Sequence, residues 1–368
     1  MGWTLKEKLT YIPNDLVSLK DYERYAKERM DLNSIAYVCS GAGDEVTYRK
    51  NEESFQEIYL KANTLEDLSG ANTKIELFGQ TYENPIFLAP VAYQKLVDIN
   101  GEIATAQASN AMNCCMCVSS FSSSTLEDIS SVSSSPLWFQ LYIQPEMSVN
   151  LELIKKAEKL GYKALVITID APISGIRNVE QRFGFSLPND VSAVNINNPF
   201  QSNNQYENVF DIVKNLPTWK DIEFIKNSTN LPVILKGITS VSYAKKALEI
   251  GVDGIVVSNH GGRTLDTLAP SIKVLPKISK VINGKIPILF DGGIRRGTDI
   301  IKAIALGADA VMIGRPIMYG LATAGALGVA HTLKILKEEL EIAMIFTGCK
   351  DIESLKKVDI INNSYQFR

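Results

Sequence analysis

Short, almost continuously apolar runs recur along the chain from residue 86 onward: Ile86–Ala89, Met116–Val118, Leu137–Leu141, Ala164–Ile167, Val233–Leu235, Gly254–Val257, Ile286–Phe290 and Ala310–Ile313. Runs without polar alternation are how strands of a parallel sheet read when both faces are covered. Segments of helical period lie between them. Leu153, Ala157 and Leu160 fall at i, i+4, i+7, and Ala244, Ala247 and Leu248 at i, i+3, i+4, each a single apolar stripe. Eight strand–helix units in this order predict an α/β chain folded as a (β/α)8 TIM barrel. The residues ahead of the first run differ: Asp15–Arg29 and Asp31–Tyr37 are helix-prone, and a short strand is predicted near Ile75–Phe78. The predicted organisation is one domain, with residues 1–80 a helical lead-in packed on a barrel formed by residues 81–368.

Two stretches break the rhythm. More than 60 residues separate Thr168 from Lys236, and Asn189–Asn208 is rich in Asn, Gln, Ser and Pro, which predicts a long lid loop after the fourth strand. Ser119–Ser135 holds ten serines in seventeen residues. Its Ser124-Thr125-Leu126-Glu127 has the form of a capping box that opens a helix, so most of these serines are read as structural. Pro316–Leu333 is uncharged but rich in Gly and Ala, too weakly apolar for lipid, and reads as a buried helix.

Composition removes several function classes. With 38 Lys+Arg against 41 Asp+Glu and a net charge of -3, the chain has no basic footprint, and no nucleic-acid partner is expected. Five cysteines without regular spacing make no disulfide framework and point to a reducing compartment. Cys114, Cys115 and Cys117 share one strand and cannot all face one ion, so they are read as buried small residues, with no metal expected. Met1–Lys8 lacks the apolar core of a secretory signal, and Tyr365–Arg368 is no peroxisomal address. A cytoplasmic protein without a membrane segment is expected.

In such a barrel the reactive groups gather where strands end and the βα loops begin. At the end of each run or one to three residues past it stand Ala92, Ser119, Gln140 with Tyr142, Thr168 with Asp170, Lys236, Ser258 to His260, Asp291 to Gly293, and Gly314 with Arg315. The last two strand ends, Asp291-Gly292-Gly293-Ile294-Arg295 and Ile313-Gly314-Arg315-Pro316, combine glycine and arginine at the usual phosphate position of this fold. His260, one of only two histidines, ends the sixth strand beside two glycines and three residues before Arg263. Near its unperturbed pKa of about 6.5, histidine is the natural general base at neutral pH. His331, in the Ala/Gly-rich helix, is read as structural.

The segment Ser258–Asp266 resembles the signature of the FMN-dependent α-hydroxy acid oxidase and dehydrogenase family, which includes glycolate oxidase, L-lactate oxidase and mandelate dehydrogenase. Thr264 stands where that signature usually has Gln. The resemblance runs from Tyr37-Val38-Cys39-Ser40-Gly41-Ala42 through Ala89-Pro90-Val91-Ala92, Phe139-Gln140-Leu141-Tyr142 and Lys236-Gly237 to Gly314-Arg315-Pro316 and Thr347-Gly348-Cys349. It implies FMN against Val91, Ala92, Tyr93, Ser119, Gln140, Thr168, Lys236 and Ser258. It further implies the ribityl chain near Asp291 and Gly292 and the phosphate at Gly293, Arg295, Gly314 and Arg315. A cation at the end of strand five independently suits negative charge on the N1/O2 edge of reduced flavin.

The resemblance also implies a substrate site. Arg263 and Arg177, the latter in Ser174-Gly175-Ile176-Arg177, would clamp a carboxylate, a task that suits the planar guanidinium fork. Tyr37 and Tyr142 would hydrogen-bond substrate oxygens. His260 would take a proton from the hydroxyl or the α-carbon while flavin N5 accepts the hydride equivalent, and Asp170 would orient this histidine and raise its basicity. The implied reaction is oxidation of an L-2-hydroxy acid, lactate- or glycolate-like, to the 2-oxo acid, with O2 or another electron acceptor, in a homotetramer.

The chain departs from that pattern in places. Asn178–Phe183 is about two residues shorter than in glycolate oxidase. Tyr93 stands where many members have Met or Ala, and Phe121 where others have Trp or Tyr, at positions that face the substrate side chain. Small and aryl acids therefore both remain open. The connector after strand four is polar, unlike the apolar insert of the bacterial membrane-bound relatives. Two further readings are an FMN barrel of different chemistry, as in the isopentenyl diphosphate isomerase relatives, which needs no Arg177, His260 and Arg263 constellation, and a non-catalytic flavin-binding barrel.

Overall fold

The structure, a computed structural model, describes residues 3–196 and 213–362. Met1-Gly2, the terminal Tyr365–Arg368 and part of the polar stretch Asn189–Asn208 lie outside the described residues. Eight parallel strands close into a barrel. They are β1 (Ile86–Leu88), β2 (Cys115–Ser119), β3 (Leu137–Leu141), β4 (Leu165–Thr168), β5 (Val233–Ile238), β6 (Gly254–Val257), β7 (Ile288–Asp291) and β8 (Ala310–Ile313). Each pairs with its sequence neighbours, and β8 closes on β1 through Val311–Ile86 and Met312–Phe87. Every residue of these strands is buried, the physical reason their sequences lack alternation. The helix Met147–Lys159 after β3 and the helix Val241–Ile250 after β5 bury Leu153 with Ala157 and Ala244 with Ala247, the stripes the spacing predicts.

The lead-in contains the helices Leu19–Arg29 and Leu32–Val38, capped by Ser18 and Asp31, and a third, Val46–Gln56. Ile75–Leu77 pairs with Gln80–Tyr82 as a hairpin under the start of the barrel, where Phe78 and Tyr82 pack edge-on against the buried Trp138 and the Tyr82 hydroxyl accepts the Trp138 Nε1–H at 3.0 Å. The hairpin thereby packs over the N-terminal end of the barrel. Ile58–Leu60 pairs with Ile360–Asn362, tying the lead-in to the last described residues.

Some expectations shift in detail. The helix Leu126–Ser131 is capped by Thr125, whose side chain accepts the Asp128 N–H, one residue later than the Ser124 box predicts. Ser124 instead donates to the buried Glu102, which also accepts from Ser123 and from the Gln94 and Ser123 backbone. A buried carboxylate needs such donors more than a helix needs one particular cap. Pro316–Leu333 does fall in a largely buried helix, Arg315–Thr347, but Ala324 and Gly325 break it. Around the break Gly320 and Gly328 touch backbone to backbone, and a Cβ at Gly328 would sit 2.0 Å from the Gly320 oxygen. His331 does not line the strand-end cavity, and its Nδ1 lies 3.0 Å from the buried Tyr22 hydroxyl. All three clustered cysteines are buried and unpaired, and no metal-ligating cluster occurs among the described residues. No helix among them is long and apolar enough to cross a membrane.

Candidate active site

A cavity of about 800 Å³ opens at the C-terminal ends of the strands. It draws Val91, Ala92 and Tyr93 from the loop after β1, Tyr142 from β3, Thr168 from β4, Lys236 from β5 and His260 from β6. Asp291 to Arg295 follow from β7, with Gly314 and Arg315 from β8. Tyr37, Arg177 and Arg263 close it from the lead-in, the post-β4 segment and the post-β6 loop. Ser119, Gln140, Ser258 and Asp170 stand one layer behind the wall. Ser119 Oγ donates to Gln140 Oε1, and the fully buried Ser258 Oγ accepts both Lys236 Nζ–H at 2.9 Å and the His260 N–H at 3.0 Å.

At the centre of the site three side chains stand in hydrogen-bond contact. Asp170 Oδ1 lies 2.9 Å from His260 Nδ1, and His260 Nε2 lies 3.3 Å from the Tyr142 hydroxyl. In the tautomer that donates Nδ1–H to this carboxylate, Nε2 is an acceptor on the cavity side, facing the Tyr142 hydroxyl. Burial alone would raise the Asp170 carboxyl pKa, but the facing His260 and the Lys236 ammonium outweigh it and hold the group below the usual carboxylate range. Asp170 is therefore an anion. Burial, reinforced by the Asp170 charge, pushes the Tyr142 phenol far up, so it stays a hydroxyl that can donate. His260 itself sits at φ 58, a left-handed conformation uncommon for a side-chain-bearing residue and typical of functional positions. Gly237, at φ +106, allows the close approach behind it: a Cβ there would lie 2.5 Å from Asp170 Cβ.

Lys236 is buried, yet its ammonium contacts Asp291 Oδ2 at 2.8 Å. Burial opposes the charge, but Asp291 and Asp170 overcome that and raise its pKa. The cavity floor thus carries a fixed cation, and unmet polar groups lie on it or just behind it. Thr168 Oγ1, Asp291 Oδ1 and Gln140 Nε2 are buried without a protein partner, and buried polar atoms of this kind call for a ligand or solvent. At the β7 and β8 ends Gly293 runs at φ +92 with Asn51 pressed against it. A Cβ on the cavity-lining Gly314 would meet nothing nearer than 3.8 Å, which leaves its backbone open to an anion. The two arginines there are already engaged: Arg295 Nη2 pairs with Glu52 at 2.6 Å, and Arg315 donates to the Gly261, Ser40 and Val38 carbonyls over the Tyr48 ring.

Opposite the floor, Arg263 Nη1 donates to the Tyr37 and Ser40 carbonyls at 2.7 and 3.0 Å, with its guanidinium over the Tyr37 ring. Arg177 stands at the N-terminal boundary of the short helix Asn178–Phe183, without a capping side-chain hydrogen bond. The chain before it is pressed onto the post-β6 loop, since a Cβ at Gly175 would lie 2.1 Å from the Thr264 oxygen. Two residues here escape sequence reasoning. Glu180 lies between the arginines, 3.0 Å from Arg177 Nε and 3.4 Å from Arg263 Nη2, and Phe185 stacks on Tyr37 at 5.0 Å. Only an acid three residues after Arg177 signals the first, and nothing local signals the second. Tyr93 and Phe121, stacked at 6.3 Å, complete an aromatic wall.

Fold and cavity define a (β/α)8 barrel whose strand-end cavity brings together His260 with Asp170 at its back, the Arg177 and Arg263 guanidinium groups and the Gly314 backbone. Comparison with known proteins agrees and is more specific. The model of the family described as FMN-dependent dehydrogenase matches residues 26–362. The chain is 42% identical over 357 residues to a 2-hydroxyacid oxidase of Dictyostelium discoideum, covering 95% of this chain and 90% of that protein. It is 39% identical over 351 residues to an L-lactate oxidase of Nostoc sp., covering 92% and 96%. A crystal structure of mandelate oxidase with (S)-2-phenylpropionate superposes with a TM-score of 0.87 at 37% identity, covering 94% of this chain and 98% of that one. The chain belongs to the FMN-dependent dehydrogenase family; it is an oxidoreductase, and its cofactor is FMN. The unpartnered donors and acceptors at Gln140, Thr168 and Asp291, the buried Lys236 cation and the open Gly314 backbone all fit that group.

Proposed function

We propose that the chain oxidises a small L-2-hydroxy acid, lactate- or glycolate-like, to the corresponding 2-oxo acid, with dioxygen as electron acceptor. The observation that carries this reading is the cavity shared by the His260 imidazole, backed by Asp170 at 2.9 Å, and by Arg177 and Arg263. A base beside a carboxylate clamp is what removal of a proton next to a carboxylate requires.

Gln140, Thr168, Lys236, Ser258, Asp291 and Gly292 would hold the flavin with Val91, Ala92, Tyr93 and Ser119, and Gly293, Arg295, Gly314 and Arg315 would take its phosphate. When bound, FMN accepts the two electrons that leave the substrate carbon and passes them on. The protein's part is positional and electrostatic. Arg177 and Arg263 bind the carboxylate, and the Tyr37 and Tyr142 hydroxyls hold the remaining oxygens. His260 Nε2 takes the proton. The Asp170 carboxylate keeps the imidazole in the right tautomer and stabilises the imidazolium formed, while Lys236 supplies positive charge where negative charge builds up.

Tyr93, Phe121 and Phe185 narrow the end of the cavity where the substrate side chain would project, which favours short acids. The same rings support a second reading, stacking on an aryl side chain. A panel of glycolate, L-lactate, longer alkyl L-2-hydroxy acids and L-mandelate, followed by oxygen uptake, separates the two. Highest kcat/KM for glycolate or L-lactate is the expected outcome. Preference for L-mandelate would establish the aryl reading, and no oxygen uptake with any of them would end the oxidase reading.

A further inference from the structure

The anion clamp contains an anion of its own. Glu180 Oε1 lies 3.0 Å from Arg177 Nε and 3.4 Å from Arg263 Nη2. All three residues line the cavity, and their side chains are only 13 to 18% exposed. Arg263 does not depend on this contact for its place, because its Nη1 is already held by two backbone carbonyls. The Arg177 contact is close but poorly aligned: its buried Nε–H makes no hydrogen bond to any protein atom. The Arg177–Glu180 pair is therefore held by charge, Arg263 Nη2 gives the same oxygen one long hydrogen bond at 3.4 Å, and a forked hydrogen bond from Arg177 to a second carboxylate remains to be made.

We propose that Glu180 is a specificity-determining residue, an internal carboxylate that competes for the Arg177–Arg263 clamp and restricts it to ligands carrying one carboxylate. The inference rests on the clamp assigned under the proposed function. Two guanidinium cations and one carboxylate leave one net positive charge, which a monocarboxylate neutralises. A dicarboxylate would leave an uncompensated negative charge in a mostly buried site, where charge imbalance is far more costly than in water. Glu180 thus weakens the hold on the substrate and the product alike, and weakens it more for each added negative charge.

Oxalate and pyruvate test this directly, because they are similar in size and differ by one charge. Their dissociation constants are read from the change in the flavin spectrum of the FMN-loaded enzyme, without turnover. Removing one nearby charge is worth about tenfold per ligand charge at a partly buried distance of this order. Glu180→Gln should therefore bind pyruvate about tenfold tighter and oxalate about a hundredfold tighter than wild type. KM for L-lactate should fall with the pyruvate constant. Glu180→Asp, which keeps the charge, should return the oxalate-to-pyruvate ratio to that of wild type. Equal changes for the two ligands in Glu180→Gln, or weaker binding of both, would show a merely structural role and overturn the proposal. If wild-type enzyme binds neither pyruvate nor oxalate, the clamp itself is wrong, an outcome distinct from failure at Glu180.

Discussion

His260→Ala enzyme should purify yellow with its FMN and lose turnover of L-lactate by about 10²–10⁴-fold, the contribution of a positioned general base. The flavin should stay because the groups that suit it, Thr168, Lys236, Asp291 and Gly314, lie on other strands. The histidine is backed by a buried anion, with Asp170 Oδ1 2.9 Å from Nδ1, so its loss also leaves that carboxylate without its main partner. His260 occupies a left-handed backbone conformation at φ 58, where Asn is better tolerated than Ala. His260→Asn therefore serves as the backbone-neutral companion and should show the same loss. Turnover near wild type in both variants, measured under saturating L-lactate, would remove His260 from the chemistry.

The second large effect is expected at Arg263. Arg263→Lys keeps the charge but cannot make two parallel hydrogen bonds to a carboxylate while also holding the Tyr37 and Ser40 carbonyls from one planar group. Hydrogen bonds to charged groups contribute about 1.5–3 kcal/mol each, and about 1.4 kcal/mol is a factor of ten. Losing one or two of them should lower kcat/KM for L-lactate by about 10²-fold or more. The loss should appear largely as weaker binding, visible as a raised dissociation constant for pyruvate. An unchanged pyruvate constant would show that the carboxylate is held elsewhere.

The barrel was legible because each of its strands is buried on both faces, so the sequence shows unbroken apolar runs such as Leu137–Leu141. The strand-end rule then placed His260, Lys236, Asp291 and Gly314 on one rim without any contact information. What escaped depends on distant partners. Ile58–Leu60 becomes a strand only by pairing with Ile360–Asn362, at the other end of the chain. Thr125 takes the cap in place of Ser124 because Glu102, far earlier, recruits the Ser124 hydroxyl. Glu180 reads as an ordinary i,i+3 partner of Arg177 until the fold brings Arg263 alongside. Arg295 and Arg315 do reach the cavity, but no local pattern revealed that Glu52 and four backbone carbonyls already engage them.

Rapid anaerobic mixing of the FMN-loaded enzyme with L-lactate or glycolate tests most directly whether base, clamp and flavin act on one substrate. Loss of the yellow absorbance with an L-2-hydroxy acid, its absence with D-lactate, and its slowing by about 10²-fold or more in His260→Asn are the expected results. A flavin that stays fully oxidised in the presence of every L-2-hydroxy acid supplied would contradict the assignment of this cavity to 2-hydroxy acid oxidation.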